Sequence, residues 1–375
     1  MSALRVLVDA RELFGKPTGV GRYLRELLSR WATSPYADGA ECVLITPVDP
    51  RTAARLPVGD GAVMRWHHAS GTGGTRWEQG VLAHTVNTLG GDVVFSPAYS
   101  TPLRGRLPVV LAMHDVSFAA HPAWFGLREG LRRRLLARWS ARKAAAIVTL
   151  TRFSAGEIVM RLGVRGGRIH VIPLAVDYAG RGIATEGGSL ASDGCGVLFV
   201  GSIFERRHLP LLLDAVARAR VEVPGLRLEI IGENRTRPRI DLEAQARALG
   251  IAEVTRFRGY VSDAELATAY AEHQIFAFLS EYEGFGLPPL EAMHAGLATV
   301  VLDTPVAHEV YGDGVRYVPP GDSSVLAHEL VRLATDRAFR EACVARGRVV
   351  ADSYRWEETA ARTWQVLETT AVRPA

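Results

Sequence analysis

The chain is poor in cysteine and lysine. Its three cysteines, Cys42, Cys195 and Cys343, lie far apart. This spacing argues against a disulfide framework or a structural metal and indicates a reducing compartment. Only Lys16 and Lys143 are lysines among the 44 basic residues. We attribute the arginine bias to a GC-rich genome, because no nucleic-acid recognition motif accompanies it, and expect no nucleic-acid partner.

Long apolar segments are also missing. The first residues, "MSALRVLVDARELFG", enter a strand pattern without the apolar core and cleavage site of a signal peptide. No apolar run approaches the about 18 residues that span a bilayer. The net charge of +4 is mild. We therefore expect a cytoplasmic protein, with membrane association left open.

What is present is the alternation of strand and helix typical of a parallel α/β protein. The 375 residues are enough for two domains. A first series of strands is predicted at 4–9, 41–46, 92–96, 108–113, 145–150 and 168–172. A second is predicted at 196–201, 226–232, 254–259, 274–280, 298–303 and 315–319. A Gly-, Ala- and Ser-rich stretch at 179–195 reads as a linker between a domain at 1–178 and another at 196–353.

Several helix starts are marked by capping residues. Ser154 with Glu157, and Ser262 with Glu265, have the spacing of a capping box. The prolines at 288–289 suit the first turn of a helix, where a missing N–H costs nothing.

A basic segment at 126–146 repeats Leu127, Leu131, Leu135 and Trp139 at a helical interval, with arginines between them. Such a helix can lie on an anionic membrane surface. The preferred interpretation is a helix packed on the first domain's sheet with a solvated basic face.

Two glutamates flank a Gly-Phe-Gly turn in "EYEGFGLPPLEAMHAG". Glu283 follows the strand at 274–280, and Glu291 is expected in the first turn of the next helix. Ligands of open α/β sheets bind at this carboxyl edge. A carboxylate can accept hydrogen bonds from two vicinal sugar hydroxyls, while bare N–H groups at Gly284 and Gly286 donate. A solvated loop acid and an ordinary helix acid remain the alternative.

Arg206 and Arg207 stand where the strand at 196–201 gives way to a helix. Two guanidiniums and a helix dipole could hold a diphosphate there. The alternative is a pair of surface arginines.

Two more candidates lie in the first half. Gly19 and Gly21, in "FGKPTGVGRYLREL", would let the backbone approach an anion, although a plain tight turn is equally consistent. The glycine order is not that of a dinucleotide site, which disfavours a nicotinamide oxidoreductase. His114, beside Asp115, follows a buried-looking strand and fits a catalytic and a structural role about equally.

These segments together resemble one family. "EYEGFGLPPLEAMHAG" is similar to the E-x7-E signature of retaining family 4 glycosyltransferases, and "TGVGRYLREL", "HDVSFAAHPAWF", "VGSIFERRHLPLLLDA" and "YRWEETAARTWQVLE" match that family in order. The resemblance implies the GT-B fold: α/β, with two doubly wound Rossmann-like domains facing a central cleft. It also implies that a C-terminal helix, within 354–375, crosses back onto the first domain.

The resemblance also implies roles for residues. Glu283 would contact hydroxyls of the donor sugar, with the backbone of Phe285, Gly286 and Leu287 in support. Glu291 would hold the ribose of the nucleotide.

The remaining roles concern the phosphates, the transferred sugar and the base. Arg206 and Arg207 would bind the diphosphate, approached from the other domain by Gly19 and Gly21. His114 would lie beside the transferred sugar, which makes His114, Glu283 and Arg206 the expected catalytic residues; Val261 would line the base pocket.

One departure bears on this set. The family usually has lysine where Arg207 stands, so a rigid fork replaces a flexible point charge. Leu279 and His294 also replace residues common around the glutamate motif, which affects packing rather than chemistry.

The implied activity is retaining transfer of a hexose to a saccharide or lipid-linked saccharide hydroxyl. Segments "TGVGRY" and "HDVSFAAHPAWF" most resemble mannosyltransferases of bacterial surface polysaccharides, so GDP-mannose is the first choice of donor, before UDP- and dTDP-sugars. We expect no metal and no cofactor, because arginines and helix N-termini can stabilise the leaving diphosphate. A nucleotide-sugar epimerase or hydrolase and a non-catalytic nucleotide-sugar binding protein are the alternatives.

Overall fold

The chain forms two compact units. A computed structural model describes residues 4–15, 18–52, 56, 59–176 and 195–371. The first unit comprises Met1–Leu174 and Trp356–Ala375, and the second comprises Ala175–Arg355. Apart from Cys195, the linker predicted at 179–195 lies outside the described residues.

The first unit is built on a parallel sheet. Its described strands lie in the order β3-β2-β1-β4-β5-β6-β7. They are β1 (Arg5–Asp9), β2 (Glu41–Thr46), β3 (Val63–His68), β4 (Val93–Ser96), β5 (Val109–Ala112), β6 (Ala146–Thr149) and β7 (Ile169–Val171). The sequence pattern missed β3, "VMRWHH", because this edge strand is only partly buried and has no apolar run.

The second unit repeats the design. Its described strands lie in the order β10-β9-β8-β11-β12-β13, again all parallel. They are β8 (Gly196–Val200), β9 (Arg227–Ile231), β10 (Thr255–Arg258), β11 (Ile275–Phe278), β12 (Ala298–Leu302) and β13 (Arg316–Val318).

Helices connect the strands in both units. In the first unit they are α1 (Gly19–Thr33), α2 (Thr75–Trp77), α3 (Ala83–Thr88), α4 (Ser117–Ala120), α5 (Leu127–Lys143) and α6 (Arg152–Leu162). In the second they are α7 (Leu209–Ala219), α8 (Leu242–Ala248), α9 (Asp263–Glu272), α10 (Leu287–Ala295), α11 (Pro305–Tyr311), α12 (Ser323–Thr335) and α13 (Arg337–Asp352). The last helix, α14 (Trp356–Thr370), returns to the first unit. Among the described helices, none is both long and apolar enough to cross a bilayer.

Helix α14 completes the core of the first unit. The Trp31 and Trp364 rings lie 5.3 Å apart, and the Trp31 indole N–H donates to the Ala360 carbonyl at 3.0 Å. The Thr359 hydroxyl donates to the Pro173 carbonyl at 2.8 Å. The expected return of the last helix is therefore confirmed.

One of the two predicted capping boxes is confirmed. Ser262 accepts from the Glu265 N–H while the Glu265 side chain binds the Ser262 N–H, so α9 starts as predicted. The box at Ser154 is wrong. Thr151 caps α6 by accepting from the Ser154 N–H at 3.0 Å, because Thr151 is the residue with extended backbone before the helix.

Both sheets have a point where strand order reverses. In the first unit it lies between β1 and β4, and in the second between β8 and β11. At such a point the connections leave toward opposite faces, and a crevice opens outside the carboxyl ends of the two strands. The segments after these strands are therefore the places to look for ligand-binding residues.

Candidate functional site

In the second unit, the segments that follow β8 and β11 meet. The Glu281 N–H donates to the Arg206 carbonyl at 3.0 Å. One guanidinium nitrogen of Arg207, Nη2, donates to Glu283 Oε1 at 3.0 Å. The structure thus brings together Arg206, Arg207 and Glu283, and it does so at the reversal point of the sheet.

Arg207 is held on three sides. Its Nη1 donates to the Ser202 carbonyl at 2.9 Å, and the guanidinium lies 4.8 Å from the centre of the Phe278 ring. Gly201 leaves the room for this arrangement: its φ is +138°, and a Cβ there would lie 2.2 Å from Nη1. Arg207 is therefore a fixed positive charge beside Glu283.

Arg206 occupies a different position in the same short helical turn, Glu205–Arg207. Its guanidinium lies over the Phe204 ring, 4.3 Å from the centre. Stacking of this kind fixes the orientation of the planar guanidinium.

Glu283 begins a turn fixed by side chains. The Ser280 hydroxyl donates to Glu283 Oε1 at 2.8 Å. The Tyr311 hydroxyl lies 2.9 Å from the Gly286 carbonyl oxygen and 3.2 Å from that of Phe285, and donates to them. Gly286 has a φ of +85°, and a Cβ there would lie 2.0 Å from the Tyr311 hydroxyl. Burial, followed by the charge of Glu283, raises the pKa of Tyr311, so this hydroxyl stays a donor.

Glu291 lies one turn into α10. The helix begins at Leu287, so the two prolines occupy its first turn as predicted, but Glu291 is its fifth residue. The expected place in the first turn is therefore wrong. Glu291 is buried, and its Oε2 accepts from the Tyr270 hydroxyl at 3.1 Å.

Val261 lies on the loop between β10 and α9 and is half-buried. Helix α9, which starts just after it, also carries Tyr270, the partner of Glu291. The loop and the buried carboxylate are therefore tied to the same helix.

In the first unit, His114 follows β5 and is buried. Its Nε2 lies 3.1 Å from the Pro97 carbonyl oxygen, so this nitrogen carries the hydrogen. The Tyr23 ring packs edge-on against it, with ring centres 4.8 Å apart. Burial lowers the pKa of His114, which makes the imidazole neutral near pH 7.

The two glycines of the first loop differ in what they do. The Gly21 N–H donates to the Thr18 hydroxyl at 2.9 Å, and a Cβ at Gly21 would lie 2.4 Å from the Glu12 carbonyl oxygen. Gly21 is therefore required for packing. A Cβ at Gly19 would meet nothing within 4 Å, so packing does not explain that glycine.

The sequence pattern did not predict a cluster of buried charged residues at the end of β1. Asp9 ends β1, and its Oδ2 lies 2.8 Å from Arg11 Nη2, which also contacts Glu78. The Ser100 hydroxyl donates to Glu78 Oε1 at 2.6 Å. Burial raises the pKa of Asp9 to about 6. The available signal was an acid at the end of the first strand and an arginine two residues later; the partner Glu78 is too distant in sequence to infer.

Two family models match most of the chain. Residues 17–179 match "Glycosyltransferase Family 4". Residues 190–350 match "Glycosyl transferases group 1".

Curated relatives align with part of their length. The chain is 29% identical over 262 residues to O-antigen chain mannosyltransferase B of Escherichia coli, covering 68% of each chain. It is 30% identical over 259 residues to the MMP alpha-(1->4)-mannosyltransferase of Mycolicibacterium hassiacum, covering 67% of this chain and 59% of the relative. It is 33% identical over 179 residues to the phosphatidyl-myo-inositol mannosyltransferase of Mycobacterium leprae, covering 47% and 46%. The chain thus spans about half to two thirds of these relatives.

Solved structures show the same fold over nearly the whole chain. Anabaena HepE in complex with UDP and glucose superposes with a TM-score of 0.73 at 18% identity, covering 98% of this chain and 100% of HepE. WaaG, a glycosyltransferase involved in lipopolysaccharide biosynthesis, gives a TM-score of 0.70 at 17% identity, covering 96% and 99%. At these identities the likeness concerns the fold, which is GT-B.

Proposed function

Because the chain belongs to the family 4 glycosyltransferases, we propose that it transfers mannose from GDP-mannose to a hydroxyl of a saccharide or lipid-linked saccharide. Mannose is supported by relatives whose names describe mannosyl transfer. One of these names places the sugar on a lipid, which supports a lipid-linked acceptor and peripheral contact with the inner membrane surface.

The observation that carries the proposal is the meeting of two arginines and a glutamate at the strand reversal of the second unit. Arg206 and Arg207 would neutralise the diphosphate, whose negative charge grows as the sugar–oxygen bond breaks. Glu283 would accept hydrogen bonds from sugar hydroxyls, and Glu291 would hold the ribose. Gly19 and Gly21 would approach the phosphates, and Val261 would line the base pocket. With arginines in this role, the proposed reaction needs neither metal nor cofactor.

The proposed stereochemistry is retention through attack on the same face. The bond between the sugar's anomeric carbon and the phosphate oxygen breaks, and a bond from that carbon to the acceptor oxygen forms. The acceptor's proton passes to the departing phosphate oxygen, and His114 would lie beside the transferred sugar. A double displacement would instead need a carboxylate nucleophile about 5 Å from the acid. Glu283 accepts hydrogen bonds from Arg207 and Ser280, and we assign it to binding sugar hydroxyls instead.

Nucleotide binding provides the first test. GDP, UDP, ADP and dTDP are added separately and the melting temperature is measured. A nucleotide at about 100 times its Kd stabilises a fold by about 2.7 kcal/mol, so GDP alone should produce a large upward shift. No shift with any of the four would overturn the proposal.

Turnover provides the second test. GDP-mannose is incubated with and without saccharide acceptors and with a chelator, and the anomeric signals of the product are followed by NMR. We expect transfer that needs acceptor, survives chelation and keeps the donor's anomeric configuration. Equal donor consumption without acceptor would indicate a hydrolase or epimerase, and binding without turnover a binding protein.

A further inference from the structure

Helix α5 has four of its five large apolar side chains exposed, Leu136 being half-buried, and its small side chains inside. Leu127 is 90% exposed, Leu131 51%, Leu135 40% and Trp139 50%. The buried positions of the helix are Gly130, Ala137, Ser140 and Ala141. The preferred sequence interpretation is therefore confirmed in that α5 packs on the first unit and its basic residues are solvated. What the sequence did not predict is that four of its large apolar residues are exposed as well.

The small residues explain how α5 packs although most of its leucines are exposed. They allow close approach to the rest of the first unit, where the Thr101 N–H donates to the Ser140 hydroxyl at 3.1 Å. Packing thus accounts for the inner face of α5 and leaves the outer leucines and the tryptophan unexplained. A row of exposed large apolar side chains of this kind is typical of an interaction surface.

The same helix concentrates positive charge. It contains seven basic residues and one acid, a net charge of +6, whereas the whole chain carries +4. Everything outside α5 is therefore slightly negative overall. The acid, Glu129, is neutralised by ion pairs with Arg132 and Arg133. Arg128, Arg138 and Arg142 are exposed.

At 100° per residue, Arg138 and Arg142 project between the members of the apolar stripe. We propose that this surface, formed by Leu127, Leu131, Leu135, Trp139 and the exposed arginines of α5, docks on an anionic phospholipid bilayer. The apolar side chains enter the boundary between headgroups and acyl chains, while the arginine stems extend toward lipid phosphates. Long basic side chains interleaved with leucines suit a bilayer surface, which has anionic headgroups on the outside and apolar acyl chains beneath them.

This inference deepens the proposed function by placing the chain where a lipid-linked acceptor would be. The docking itself needs no sugar nucleotide. A failure of docking and a failure of transfer are therefore separate results.

The test is sedimentation of the full chain with vesicles of phosphatidylcholine alone or mixed with phosphatidylglycerol. We expect binding to the mixed vesicles that weakens as salt is raised. Arg138→Gln with Arg142→Gln should weaken it about fivefold for each arginine removed. Leu131→Ser with Trp139→Ser should weaken it about tenfold or more, because both apolar anchors are lost.

Matched variants elsewhere control for general surface effects. Met160→Ser with Val349→Ser removes two side chains of 74% and 73% exposure, and Arg247→Gln with Arg256→Gln removes two exposed charges. Both controls should bind vesicles like the wild type, and melting temperatures will show that every variant is folded.

Three outcomes would overturn the proposal. They are equal binding to neutral and anionic vesicles, no binding to either, and unchanged binding by both α5 variants. A wild-type dimer that becomes monomeric in the Leu131→Ser, Trp139→Ser variant would assign the surface to a second copy of the chain instead. Analytical ultracentrifugation without vesicles decides that last point.

Discussion

At the scale of residues, the two glutamates of the E-x7-E motif have different surroundings. Glu283 is partly exposed and shares its Oε1 between Arg207 and Ser280, whereas Glu291 is buried against Tyr270. The motif could be predicted from the sequence because a strand end and two prolines fix its position. The partners of the two glutamates could not be predicted, because Arg207 and Tyr270 lie on other elements and only the folded structure brings them next to the motif.

We expect replacement of the two glutamates to change different kinetic constants. Glu283→Ala should lower kcat about 100-fold or more, because it removes the group that we propose contacts the reacting sugar and takes a partner from Arg207. Glu291→Ala should mainly weaken donor binding, about tenfold, through the loss of a charged hydrogen bond. Steady-state kinetics with varied donor separates the two.

The control is Glu281→Ala, which removes another acid of the same loop. Glu281 contacts His208 and is more exposed than Glu283. It should leave kcat and KM within about twofold of the wild type, as surface changes usually do. Wild-type kinetics in both the Glu283 and the Glu291 variant would show that the site is assigned wrongly.

Asp9 gives a prediction on pH. Its folded pKa of about 6 exceeds the ordinary 3.8, so the folded state holds the proton more tightly between these values. The contribution of Asp9 to the free energy of unfolding is therefore full below about pH 4 and falls as pH rises through 6. Asp9→Asn should remove this fall, a difference on the order of 3 kcal/mol. Urea unfolding of both proteins from pH 4 to 7 measures it; parallel curves would contradict the assignment.

At the scale of elements, local sequence signals predicted a helix start correctly where only one residue could act as the cap. Ser262 and Glu265 define the start of α9 because their reciprocal hydrogen bonds need only that spacing. For α6 both Thr151 and Ser154 have side chains that can cap a helix. Thr151 is the actual cap because the backbone after β6 is still extended at that residue and the helix begins at Arg152. Helix α5 shows the limit of periodicity, which finds an apolar stripe but not whether it faces the core.

The turn between β11 and α10 depends on α11 through Tyr311. Tyr311→Phe removes the donor to the Phe285 and Gly286 carbonyls, which lets the turn that carries Glu283 loosen. We expect kcat to fall about tenfold while the Kd for GDP changes less than twofold. Kinetics together with calorimetric nucleotide binding measures both.

Tyr317→Phe is the matched control. The Tyr317 hydroxyl also donates to backbone carbonyls, of Gly312 at 2.6 Å and Ala307 at 3.3 Å, but away from the turn. It should lose a similar amount of stability, about 1 kcal/mol, and keep its kcat. Equal loss of kcat in both variants would show that Tyr311 acts only through stability.

At the scale of the whole molecule, the first unit is discontinuous in sequence. Residues up to Leu174 form the sheet, and α14 supplies Trp356, Trp364 and Leu367 to its core. The repeated strand pattern predicted two parallel α/β units. The return of the last helix was predicted from the family resemblance, because no sequence feature of α14 itself indicates which sheet the helix packs on.

Removing a ring from this contact should destabilise the first unit selectively. Trp364→Ala should cost about 3–5 kcal/mol, because Trp364 is buried against Trp31. Trp139→Ala, at a half-exposed tryptophan of the same unit, should cost less than about 1 kcal/mol. Hydrogen exchange of β1 and β8 in urea assigns the loss to one unit. Equal protection loss in both strands would indicate that the units unfold together.

The position of α14 also sets an order of events on the ribosome. The sheet of the first unit is translated first, yet the helix that covers Trp31 emerges only after all of Ala175–Arg355. The later-made unit can thus finish folding before the earlier-made one. During that interval the nascent chain exposes the indole of Trp31 and its apolar neighbours, and it is then that we expect chaperones to engage it.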